Sequence, residues 1–140
     1  MTHQELRELL RTARVIAVVG LSPNPDRPSN QVAWYLHHQG YELFGVNPVC
    51  RQDEVFGVPM VASLDQVPKP IDVVDVFRRA AYTPEVARQA VAVGARALWL
   101  QLGITSPEAR AVAEVGGLTY VEDHCMKIEH ARLIGRRRVS

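Results

Sequence analysis

Apolar positions along the chain keep two rhythms. Val15–Val19 is an unbroken apolar run closed by Gly20, the pattern of a strand covered on both faces in a parallel sheet. Segments 41–46, 71–77, 97–100 and 118–121 read the same way. Between them apolar residues recur at helical spacing. Thr2-x-x-Glu5 is a capping box ahead of Leu6, Leu9, Leu10 and Ala13, which predicts a first helix. A second helix is expected from an N-cap at Ser29 to Gly40, with Val32, Tyr35 and Leu36 toward the sheet. Thr83-Pro84-Glu85 and Ser106-Pro107-Glu108 repeat an N-cap followed by Pro. The stretch from Met126 to Leu133 predicts a last helix. Between Pro48 and Pro70 the rhythm breaks, leaving a short edge segment at 58–61 and a helical turn within 62–67.

Strands alternating with helices predict a Rossmann-like, three-layer α/β/α fold with a five-stranded, mostly parallel sheet. The expected strand order is 3-2-1-4-5, with 71–77 as the third strand. The first strand is then central, and a crevice opens at its C-terminal end. At 140 residues the chain is expected to be one domain over 1–135 with a basic tail, 136–140.

The net charge of +1 provides no field for nucleic acid, and no apolar run approaches the length of a membrane span. Cys50 and Cys125 lie far apart, as reduced thiols in a cytoplasmic protein would.

Candidate chemistry gathers where strands end. After the first strand comes Gly20-Leu21-Ser22-Pro23-Asn24-Pro25-Asp26-Arg27-Pro28-Ser29, a stiff turn leading into a helix whose free N–H groups and dipole suit an anion. It lacks the further glycines of the dinucleotide fingerprint and has no ATPase phosphate loop. The second strand ends in Asn47-Pro48, with Arg51 beyond. An amide and a guanidinium there, in place of the acidic residue of NAD sites, suit a phosphorylated ribose. NADP and coenzyme A both carry such a group, and the residues leave both open. Val76-Phe77-Arg78 and Gly103 close the third and fourth strands on the same edge. Phe77 can wall a groove for an apolar ligand arm.

These stretches, together with Asp72–Arg78, Leu98–Gly103, Asp123-His124-Cys125 and Ile128-Glu129, resemble the small single-domain bacterial CoA-binding proteins. That family shares its fold with the CoA-binding domain of the succinyl-CoA synthetase alpha subunit. The resemblance spans nearly the whole chain, and its Arg-Pro-Ser turn and Asp-Val-Phe-Arg motif are the specific parts. It implies that Gly20, Leu21, Ser22, Arg27, Pro28 and Ser29 wrap a pyrophosphate. Asn47, Pro48 and Arg51 would hold the 3′-phosphoadenosine end, and Val76, Phe77 and Arg78 would flank the nucleotide or the pantetheine arm. Where relatives often carry Arg, this chain has His124, so a permanent positive charge is missing there.

Cys125, His124, Glu129 and His130 invite a catalytic reading, in which Cys125 handles a thioester or disulfide. Neighbours on an extended segment point apart, and the preferred reading makes Cys125 a small buried residue. The expectation is therefore a CoA or acyl-CoA carrier, sensor or regulator without catalysis of its own. It would be a monomer, a homodimer or a companion of a synthetase-like partner. An NADP oxidoreductase and a Cys125 enzyme are the alternatives.

Overall fold

The computed structural model describes residues 1–135, and the basic tail 136–140 lies outside the described residues. Helix α1, His3–Thr12, begins with the expected capping box: the Thr2 Oγ1 accepts from the Glu5 N–H and the Glu5 carboxylate from the Thr2 N–H. Strand β1, Val15–Val19, is buried at every residue. There follow α2 (Pro28–His38), β2 (Glu42–Val46), β3 (Glu54–Val55), β4 (Val58–Val61), β5 (Val73–Val76), α3 (Thr83–Ala92), β6 (Ala97–Leu100), α4 (Pro107–Val115), β7 (Thr119–Val121) and α5 (Met126–Leu133).

The sheet has seven strands, where five were expected, in the order β3-β4-β2-β1-β5-β6-β7. All neighbours are parallel except the β3–β4 pair. The segment read as a loose edge, β4, pairs with β2 and is the third strand of the 3-2-1-4-5 series. The 71–77 stretch crosses to the other side of β1 and pairs there. The short β3–β4 hairpin turns on Phe56 and Gly57, at φ 40° and 86°. Both values suit the two-residue turns that match strand twist.

Alternate residues of the strands feed two cores. Ile16, Val18, Leu43, Val73 and Trp99 pack under α1, α2 and α5. Ala17, Val74, Val76, Leu98 and Leu100 pack under α3 and α4. Covering both faces explains the continuous apolar runs.

Two helix starts differ from expectation. Helix α2 has Arg27 as its N-cap and Pro28 at its first position, so Ser29 lies inside the helix. Helix α3 already includes Thr83, because a 3-10 turn at Ala80–Tyr82 feeds into it. The Thr83 hydroxyl donates back to the Ala80 carbonyl at 2.7 Å.

Candidate functional site

The sheet order reverses at β1, whose neighbours β2 and β5 lead away in opposite directions. Crevices form at the C-terminal ends of strands at such a point. A cleft of about 870 Å³ opens there, lined by the β1–α2 bend and the chain just beyond β2, β5 and β6. That is near the upper end for small-molecule sites.

The bend is built by its own polar side chains. Gly20 takes φ 89°, and a Cβ there would sit 2.6 Å from the Phe77 carbonyl oxygen. The glycine is thus required by the close approach of β5's end, before any ligand is considered. The Ser22 N–H donates to the Ser29 Oγ at 3.1 Å, and the Asn30 Nδ2 donates to the Ser22 carbonyl at 2.9 Å. Asn47 Nδ2, just beyond the neighbouring strand β2, donates to the Leu21 carbonyl at 3.0 Å. Asn47 Oδ1 accepts the Val49 N–H at 3.1 Å. Ser29 and Asn47, read from sequence as ligand contacts, therefore spend polar atoms on holding the bend.

Of the expected residues, the fold brings Gly20, Ser22, Arg27, Pro28, Ser29, Asn47, Pro48, Phe77 and Arg78 around the cleft. Leu21 and Val76 are fully buried and support its walls from below. Arg51 is exposed on the loop after β2 and is not part of the lining. Gly103 is also outside it: it turns at φ 84° and donates its N–H to Asp123 Oδ1 at 2.7 Å.

The cleft recruits residues that the sequence reading did not assign to it. Arg79 joins Arg27 and Arg78, and among the described residues no Asp or Glu lines the cleft. Among the described residues the Arg27 and Arg79 guanidinium groups make no ion pair, while Arg78 lies 4.8 Å over the Tyr82 ring. Val49, Leu102 and Ile128 are exposed apolar side chains on the rim. The lining is cationic at Arg27 on the bend and at Arg78 and Arg79 beyond β5, and apolar at its margins.

Cys125 is half-buried and lines the far wall, rather than being sealed in the core. The indole N–H of buried Trp99 fixes that wall by donating to the His124 carbonyl at 2.8 Å. His124 turns its ring to the Glu122 carbonyl, with Nδ1 2.6 Å away. Glu129 pairs with Arg132, and the His130 Nδ1 lies 2.8 Å from the Tyr35 hydroxyl. The polar groups near Cys125 in sequence are thus engaged with other partners.

Fold and cleft together define a Rossmann-like α/β protein with a crevice at its switch point. The sequence profile of the CoA binding domain matches residues 14–131, and the chain belongs to that family. It is 41% identical over 127 residues to an uncharacterized Bacillus subtilis protein, YneT, covering 91% of this chain and 93% of that one. A Thermus thermophilus structure matches at 39% identity with a TM-score of 0.90, covering 95% of this chain and 99% of the other. A hypothetical protein from Pyrococcus horikoshii matches at 38% identity and a TM-score of 0.91, covering 96% and 94%. An acetyl-coenzyme A synthetase of Candidatus Korarchaeum cryptofilum shares the fold over 80% of this chain and 27% of its own, at 23% identity and a TM-score of 0.68.

Proposed function

We propose that the protein binds CoA or acyl-CoA in this cleft and acts as a carrier, sensor or regulator, without chemistry of its own. The observation that carries the reading is the pairing, in one crevice, of three arginines and no carboxylate, among the described residues, with an apolar rim. CoA has that division: phosphates and a nucleotide at one end, a long amphipathic arm at the other. Membership in the CoA-binding family supports the same ligand. In this reading the Gly20–Ser29 bend and Arg27 hold the pyrophosphate, and Asn47, Pro48 and Arg51 border the adenosine end. Phe77, Arg78 and Arg79 flank the nucleotide or the start of the arm.

Calorimetric titration with CoA, dephospho-CoA and NADP tests it. The reading expects submillimolar CoA binding with one ligand per chain, weaker dephospho-CoA and no NADP. Equal binding of CoA and dephospho-CoA removes Arg51 from the site. Binding of NADP but not CoA overturns the assignment.

A further inference from the structure

Strand β5 carries an acid where a valine would pack. Asp75 is fully buried between apolar neighbours, across from Val18 on one side and Trp99 on the other. Its Oδ1 accepts one hydrogen bond, from the Gln101 Nε2 at 2.6 Å. Its Oδ2 is the single buried side-chain nitrogen or oxygen without a partner among the described residues. Such an atom costs stability, so the acid is poorly explained as packing.

Gln101 links this acid to the cleft. It ends β6, is 5% exposed and lines the crevice. Its Oε1 makes no hydrogen bond within the described protein and is not among the sealed, unpartnered atoms, so this oxygen opens on the cleft. The chemistry of the pair dictates that orientation. An ionised carboxylate only accepts hydrogen bonds. Opposite the ionised acid the amide turns its NH2 inward, as the Nε2–Oδ1 contact shows, and its carbonyl outward.

We infer that Gln101 is a ligand-contacting residue whose carbonyl oxygen accepts an N–H from the arm of the bound cofactor, and that Asp75 is a positioning residue fixing the amide in that sense. This rests on the CoA reading. Gln101 lies on the β6 side of the bend, across β1 and β5 from Asn47. With the adenosine over the end of β2, the pantetheine arm runs toward β6. The arm's two amides supply N–H donors, and the nucleotide diphosphate end offers none to this position.

The test compares CoA with adenosine 3′,5′-bisphosphate, which lacks the arm, by calorimetry at pH 8. Gln101→Met keeps the side-chain volume and removes the acceptor. Asp75→Leu removes the anchor, and Asp75→Asn keeps an acceptor for the Gln101 N–H. Gln101→Met and Asp75→Leu are each expected to weaken CoA by about 3- to 10-fold, the worth of one neutral hydrogen bond, and to leave the bisphosphate unchanged. Asp75→Asn should stay within about 2-fold of wild type. Adding Asp75→Leu to Gln101→Met should cause no further loss, because the acid acts through the amide. Equal weakening of both ligands, or additive losses in the double variant, overturns the inference while the CoA reading stands. A wild-type protein that binds neither ligand overturns the CoA reading itself.

Discussion

Replacing Asp75 by Asn changes the pH dependence of stability in a direction fixed by burial. Removal from water pushes the carboxyl from an ordinary value of 3.8 to about 7, and the Gln101 hydrogen bond opposes this only in part. The folded protein then keeps a proton that the unfolded chain releases. Between those values the folded state binds more protons, so stability falls as pH rises. The contribution is fully present below about pH 3.8 and lost as pH passes through about 7. A difference of about three pH units at 1.36 kcal/mol each is on the order of 4 kcal/mol. Asn has nearly the same shape and carries no charge, so the variant lacks this loss. Urea unfolding followed by circular dichroism from pH 4.5 to 8.5 gives wild type and variant on one scale. Near pH 4.5 the loss has reached only about 1 kcal/mol, so the two should lie close together there. At pH 8.5 Asp75→Asn should be the more stable by several kcal/mol. A difference that is flat with pH, or wild type gaining on the variant as pH rises, would refute the reasoning.

Other expectations follow from single contacts. Arg27 is exposed and makes no ion pair among the described residues, so Arg27→Ala should leave the melting temperature unchanged; losing a charge-assisted bond to phosphate should weaken CoA roughly 10- to 100-fold by calorimetry. Gly20→Ala would place a Cβ 2.6 Å from the Phe77 carbonyl oxygen at φ 89°; thermal unfolding should show a loss exceeding about 1 kcal/mol, and CoA affinity should fall with it. Ser106 caps α4 by accepting the Ala109 N–H at 3.1 Å; Ser106→Ala should cost about 1 kcal/mol in urea unfolding and leave CoA affinity unchanged.

The elements with strong periodicity or an unambiguous cap were legible in the sequence. Val15–Val19 announced a central strand because both its faces are covered, and Thr2 with Glu5 marked the first helix by a local bond pattern. Strand β4 was harder to see. It is short, carries Pro59, and is buried only at Val58, so its place beside β2 comes from pairing and leaves no hydrophobic rhythm. Reading it as an edge segment outside the strand series moved 71–77 to the wrong side of β1. Ser29 drew the cap assignment because serine is a common cap, yet Pro28 at the first helical position shifts the cap to Arg27. At the cleft, the bend and the ends of β2 and β5 were readable because strand ends share an edge. Arg79 carried no motif, and Gln101, although inside the Leu98–Gly103 stretch, carried no sign of a ligand contact; the folded arrangement brings both to the crevice. Asp75 was visible as an acid in an apolar run, but its tie to Gln101 joins positions 26 residues apart.

The most direct test of the account is a crystal of the protein soaked with CoA. The account expects the pyrophosphate against the Gly20–Ser29 bend within reach of Arg27, the adenine beside Asn47 and Pro48, and the arm running past Gln101 toward Cys125. Density for the cofactor lodged elsewhere on the surface, with that bend vacant, would contradict it.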